Sequence, residues 1–334
     1  MPSRNDGVRR ALCSWGSPGQ VPAAAEPSLH GGHGYAALRR HPRPAGPGDP
    51  AISAVRLTRD GDAGPLPPCA LPKDAAEPSV FRPEHLLREA RRQRGLPDRA
   101  VPAVCVLDPD GDLVRHLRHT GQARPSPGWA CYHTALHEFT LTDGTAAGIV
   151  GCAVGAPFAV LVAEQLFASG CQFLVSITSA GQIADLGEPP YAVLIDRALR
   201  DEGTSAHYLA PGAGPAVTAP DLPLIGRIEA ALRRSLMPDA AAALHRGTSW
   251  TTDAPYRETA SAIAAARAQG VLTVEMEAAA LYAFATARQA AVACFAHVTN
   301  TMGQQPGDFE KGEAEGSLTA LRIVEAAVSG YRQG

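Results

Sequence analysis

From Phe81 onward the chain alternates short, β-branched apolar runs with longer stretches whose apolar residues recur every three or four positions. That alternation limits the possible folds more than any other feature. "VPAVCVL" (101–107), "AAGIVGCAV" (146–154) and "CQFLVSIT" (171–178) are short and apolar at successive positions, as expected of strands buried on both faces. Between the last two, "APFAVLVAEQLFASG" places Pro157 at a helix start, Phe158, Leu161, Val162 and Leu166 at helical spacing, and Gly170 just past the end. Further strands are expected at 191–199, 244–252, 271–274 and 291–298, and helices at 221–236, 255–269, 277–289 and 313–329. An earlier helix starts at Pro83, carries Leu86, Leu87 and Ala90 on one face, and stops at Gly95. Strands and helices in this order predict an α/β domain with a largely parallel core sheet, whose ligands bind at the carboxyl ends of the strands.

The domain is expected to span 79–334, because residues 1–78 are of a different kind. They hold 13 of the 29 prolines and 10 glycines, so 23 of 78 positions are Pro or Gly, the composition of a disordered segment. Pro18, Pro22, Glu26 and Pro27 interrupt any apolar stretch that could serve as a secretory signal, and no apolar run reaches the ~20 residues of a membrane span. A cytoplasmic protein without a membrane partner is expected. With a net charge of −3 and no basic cluster interleaved with aromatics, a nucleic-acid partner is not expected either. The seven cysteines form no Cys-x-x-Cys pair, which argues against a structural metal site. Cys105, Cys152, Cys171 and Cys294 sit in apolar runs and are expected to be buried.

Chemistry is therefore sought at the residues that follow strands. Five junctions stand out: "DPDGDLV", "SAGQI", "TTDAPYRET", "VTNTMG", and "VEMEAAALYAFA", which sets Glu275, Met276 and Glu277 between a strand and an alanine-rich helix. A carboxylate at a helix start has a simple structural reading, since the macrodipole favours it by ~0.3–1 kcal/mol. Ala278, Leu281 and Ala285 likewise describe an ordinary inward helix face.

In this order, the five junctions resemble the nucleoside phosphorylase family, which also includes uridine phosphorylases and purine and methylthioadenosine nucleosidases. "VLDPDGDLV" is similar to its first strand and phosphate loop, and "GCAVGAPFAVLVAEQL" to its Gly-rich turn and helix. "SITSAGQI" resembles its central glycine turn, "TTDAPYRET" its base-pocket segment, and "VEMEAAAL" its most recognisable motif; the likeness covers roughly 81–330. The resemblance implies one α/β domain around a mixed, partly barrel-like sheet flanked by helices, assembled as a homo-oligomer whose sites borrow residues from a neighbour. It also implies cleavage of the N-glycosidic bond of a nucleoside, without metal or organic cofactor and with inorganic phosphate as a possible co-substrate.

An ionised carboxylate is acceptor-only, so Glu277 can take both ribose hydroxyl protons and stabilise an oxocarbenium-like transition state. Met276 is expected against the sugar, with Glu275 beside it. Asn300, whose amide both donates and accepts, suits a base edge, or is an ordinary turn asparagine. Tyr256 and Arg257 are candidates for the base pocket, with Asp253 as a neighbour or as the cap of the following helix. Ser179 and Gly181, with the amides around Gly155, form a cradle for an anion.

The phosphate-binding arginines that the resemblance implies are replaced by Gly111, Ser176 and, for the one a neighbouring subunit contributes, His137, and Arg115 and Arg118 are the cations left nearby. Asp108, Asp110 and Asp112 stand where phosphate would sit. Asp112 is either a group that positions and activates water or part of a solvated acidic turn. Phosphorolysis, the commonest activity of the family, is the first expectation. Hydrolysis by water and non-catalytic nucleoside binding are the alternatives.

Overall fold

The computed structural model describes residues 77–209, 217–235, 244–302 and 307–334. The expectation for residues 1–78 therefore falls, save for its last two positions, outside the described residues. Helix α1 (Pro83–Arg94) begins on its proline and ends at Gly95, whose φ of 64° is the left-handed stop that glycine adopts without strain. Then follow β1 (Val104–Asp108), α2 (Asp112–His119), β2 (Arg124–Pro125), β3 (Leu136–Thr140), β4 (Ala146–Gly151), α3 (Ala156–Ala168) and β5 (Phe173–Gln182). The second half comprises β6 (Tyr191–Asp201), β7 (Val217–Thr218), α4 (Leu222–Ser235), β8 (Leu244–Thr252), α5 (Ala260–Ala268), β9 (Val271–Glu275), α6 (Ala278–Arg288), β10 (Ala291–Asn300) and α7 (Ser317–Tyr331).

The sheet runs β10-β6-β8-β9-β5-β1-β4-β3-β2, and β10 also pairs with β5, so β5, β10, β6, β8 and β9 close on themselves as a five-stranded barrel from which β1, β4, β3 and β2 extend. The expected mixed, partly barrel-like sheet in a single α/β domain is what the described residues form. Parallel pairing joins β1 to β4 and β5, β5 to β10, β6 to β8 and β8 to β9, while β10–β6, β5–β9 and β3–β4 are antiparallel.

Apolar residues at successive positions follow from this layering. In β1, Cys105 and Leu107 join the core under α3 and α6, whereas Val104 and Val106 join the opposite core under α2, α4 and α7. Helix α6 was expected to bury one face; every residue from Ala278 to Ala285 is buried, as befits a helix enclosed on all sides. Tyr282 locks it in place, its hydroxyl donating to Ile195 O (2.6 Å) and accepting from Cys294 N (3.0 Å).

Four local readings require correction. Residues 112–119 form a helix where the sequence suggested only an acidic turn, because Asp108 receives the N–H groups of Gly111 (3.2 Å) and Val114 (2.8 Å) and so satisfies the first turn. The helix expected over 255–269 splits into a 3-10 turn (Pro255–Arg257) and α5, whose cap is Thr259, accepting from Ala262 N, and not Asp253. Strand β3 was not anticipated. Cys152 is exposed, with φ at 62°, while Cys105, Cys171 and Cys294 are buried.

Candidate active site

Strands β1, β4, β5 and β10 run parallel, so their carboxyl ends lie along one edge. Strand β9 meets β5 antiparallel over two positions only, Gly181 opposite Val274 and Gln182 opposite Thr273. Because the overlap lies in the carboxyl-terminal part of both strands, the turn after β9 arrives at the same edge. This short overlap brings the Glu275–Glu277 segment to the loops after β1, β4 and β5.

The two glutamates have different surroundings. Glu275 is the structural one. Its Oε1 accepts from Ser249 Oγ (3.0 Å) and Thr251 Oγ1 (2.6 Å), and its Oε2 from the N–H groups of Glu277 and Ala278 (both 2.7 Å). Thr251 Oγ1 also accepts from Ala279 N (2.9 Å), so the first turn of α6 is satisfied by two side chains. With both oxygens engaged by this chain's own donors, Glu275 supports the helix start, where a substrate contact was expected.

Glu277, 1% exposed, keeps one oxygen in reserve. Oε1 accepts from Gly155 N at 2.6 Å, and Oε2 has no hydrogen-bond partner among the described residues. Gly155 has φ at 88°, accessible to glycine, and its N–H at the start of α3 serves the protein's own carboxylate instead of an outside anion. Burial, then the negative charge of Glu275, pushes the Glu277 carboxyl up to about 8, against the Gly155 N–H and the polar Thr178 side chain nearby. Burial raises the Glu275 carboxyl too, but its four donors oppose that, so the proton the pair holds at neutral pH lies on Glu277. The ionised carboxylate expected from the sequence is thus not the favoured form of Glu277 in the free protein at neutral pH. Met276, between them, is half-buried.

The loop after β1 carries the three aspartates to the same edge. Asp108 is buried inside the start of α2, which raises its carboxyl to about 6. Asp110 Oδ2 accepts from Ser179 N (2.8 Å), so the expected anion cradle on the glycine turn is occupied by this chain's own carboxylate. Asp112 pairs with Arg115 through one oxygen and with Lys311 Nζ (2.5 Å) through the other. Committed to two cations, Asp112 is not the free base expected of a water-activating residue. Thr178 connects the aspartates to Glu277, because it also lines a small cavity with Asp108, Asp110, Asp112, His297 and Ser317.

On the other side of the glycine turn, a methyl group at Gly181 would meet Met302 Sδ at 2.6 Å and lie 3.5 Å from Asn300 Oδ1, so Asn300 reaches the edge as expected. Its amide donates to Thr299 Oγ1 (3.2 Å) and Ala180 O (3.4 Å), and its oxygen accepts from Met302 N (2.9 Å), so it serves the local turn.

Within the single chain, none of the remaining candidates contacts Glu277. Tyr256 is 99% exposed and Arg257 is exposed beside it, while Asp253 holds Gly203 N (2.9 Å) at the surface. His137 lies on β3, two strands from β1, with burial and the Arg118 charge holding its imidazole below the usual range. Conversely, the sequence reading passed over Thr178, His297, Lys311 and Ser317. A histidine two residues before "TN" in the run "CFAHVTN" was the visible signal for His297.

Three comparisons place this edge in context. None of the curated proteins compared with the chain matches it. A uridine phosphorylase from Vibrio fischeri ES114, solved with 6-hydroxy-1-naphthoic acid, shares the fold at 19% identity and a TM-score of 0.55, over 69% of this chain and 90% of that one. Another structure of uridine phosphorylase from the same organism gives 18% identity and a TM-score of 0.52 over 71% and 90%. Among the described residues no helix is long and apolar enough to cross a membrane. Residues 95–329 match the model of the phosphorylase superfamily, and the chain belongs to that superfamily.

Proposed function

We propose that the protein is an enzyme that cleaves the N-glycosidic bond of a nucleoside with water as the acceptor, releasing free base and free pentose. The observation that carries this reading is the Asp110 carboxylate on Ser179 N (2.8 Å). A phosphate dianion would have to displace that carboxylate and then sit beside it and Asp108, and like charges repel strongly outside bulk water. Water carries no such charge. It can accept from and donate to the same groups.

Glu277 takes the ribose hydroxyls in this reading. Its free Oε2 accepts them, and hydrogen bonds to the charged form draw the proton off. Sugar binding thus creates the carboxylate where the oxocarbenium ion forms, so its full charge is present only when substrate is bound. Asn300 is positioned to meet the leaving base by re-forming its local bonds.

Phosphate as acceptor, the first expectation from the sequence, is the second reading. It is favoured by Arg115 and Lys311, which converge on Asp112 and would both have to turn from it toward an anion.

The test is incubation with a purine and a pyrimidine nucleoside panel, with and without inorganic phosphate, following base, free pentose and pentose 1-phosphate. Free pentose in phosphate-free buffer is expected. An absolute phosphate requirement with pentose 1-phosphate as product would overturn the water reading.

A further inference from the structure

The cavity beyond Thr178 contains an imidazole. Its walls are Asp108, Asp110 and Asp112 from the β1–α2 loop, Ile177, Thr178 and Ser179 from β5, His297 from β10, and Glu315, Gly316 and Ser317 at the start of α7. At about 20 Å³ it is large enough for one water and too small for phosphate. Three wall groups have hydrogen-bonding capacity to spare among the described residues. The Ser317 hydroxyl is buried without a partner, only one oxygen of Asp110 is engaged, and the His297 imidazole makes no hydrogen bond. The ring is held by packing. A methyl group at Gly316 would lie 2.3 Å from His297 Cε1, so the left-handed Gly316 (φ 77°) lets the start of α7 press against the imidazole.

We propose that His297 is a catalytic base, taking a proton from a water that Asp110 and Ser317 hold in this cavity. The assignment rests on the reading of the protein as a nucleosidase. The water oxygen forms its bond to the anomeric carbon as the carbon–nitrogen bond breaks, and the bonding pair leaves with the base. The water proton passes to the imidazole and on to solvent, the departing base takes a proton from solvent, and free pentose remains. Thr178 lies between this cavity and Glu277, so the water and the sugar carboxylate approach the anomeric carbon from adjoining positions.

Burial holds the His297 imidazole below its usual 6.5, aided by Lys311 and opposed by Asp110 and Asp112. The neutral ring is therefore the form present at neutral pH, as a proton acceptor requires. Glu315 also lines the cavity, just before α7. Asp108, pushed up to about 6, titrates in the same region, so an acid limb is assigned to His297 only through its loss in a variant.

The experiment compares wild type, His297→Gln and Ser317→Ala in phosphate-free buffer with uridine and inosine, following pentose release from about pH 5 to about pH 9. For His297→Gln the expected result is kcat lowered about 10²-fold or more, KM within about threefold, and loss of the acid limb that the wild type shows. An acid limb retained, or kcat above about a tenth of wild type, overturns the assignment while wild-type hydrolysis leaves the nucleosidase reading standing. A wild type that yields only pentose 1-phosphate overturns that reading, and His297 as base with it. Should His297→Gln not fold, Ser317→Ala carries the test, because it removes one hydroxyl from the same wall. A fall of about tenfold in kcat with the acid limb kept is expected, and an unchanged kcat overturns the proposal.

Discussion

Replacing Glu277 by Gln separates the charge of this residue from its shape, in folding as well as in turnover. The amide oxygen retains the Gly155 N–H at 2.6 Å, and the amide nitrogen takes the place of Oε2, which has no partner. That unpartnered nitrogen sets a pH-independent offset of ~1–3 kcal/mol. The pH dependence arises from the wild type. Its carboxyl titrates near 4.5 when unfolded and about 8 when folded, so between these values the unfolded chain binds fewer protons than the folded one. Wild-type stability from this group is complete below about 4.5 and is lost as pH rises towards about 8. The slope is at most ~1.36 kcal/mol per pH unit, so from pH 5 to pH 7 the wild type loses roughly 2–3 kcal/mol that the variant keeps. At ~2–4 °C per kcal/mol, the Tm difference should move by roughly 4–10 °C in favour of the variant. Scanning calorimetry of both proteins across that range measures it, and steady-state assays at pH 7 should show turnover down by about 10²-fold or more. Tm curves that stay parallel would mean that Glu277 ionises like a surface carboxylate, and wild-type turnover in the variant would remove it from the site.

Other expectations follow from the same geometry. Glu275→Ala strips the acceptor from two N–H groups at the start of α6 and two hydroxyls of β8 and should cost at least ~3 kcal/mol in urea unfolding; a loss under about 1 kcal/mol would place the helix cap elsewhere. Tyr256→Ala should leave stability within ~0.5 kcal/mol and kcat/KM unchanged, since the ring packs against nothing in the described chain; a raised KM would return it to the base pocket. Gly155→Ala meets no steric obstacle, its nearest neighbour being Pro157 Cδ at 4.0 Å, but its backbone conformation should cost ~1–3 kcal/mol. Activity should then fall more than folding, as the N–H that fixes Glu277 turns away.

Much of this architecture was legible in the one-dimensional pattern, because burial of a strand on two faces or of a helix in a core writes directly into hydrophobic spacing. Strands β1, β4, β5, β6, β8, β9 and β10 fall where the apolar runs lie, and α3, α4, α6 and α7 fall within a few residues of their periodic stretches. Glu277 was legible as well, through a motif in an ordered series of junctions. Local chemistry misled at "DPDGDLV", where turn residues concealed a helix that depends on the Asp108 side chain folding back on its own amides.

The division of labour between Glu275 and Glu277 could be decided only in three dimensions. Both are carboxylates two positions apart, and nothing local distinguishes them. The distinction is made by Ser249 and Thr251, which β8 presents to Glu275 from about 25 residues away, and by Gly155, which comes to Glu277 from the far end of the β4–α3 turn. The same holds for the acidic loop: Asp112 looks free in sequence until Lys311, 199 residues on, reaches it. Pattern determines which segments are buried, since that is a property of each segment's own spacing. Which buried carboxyl keeps its proton depends on the donors and charges that closure of the barrel places around it, because desolvation and Coulomb interactions act through space.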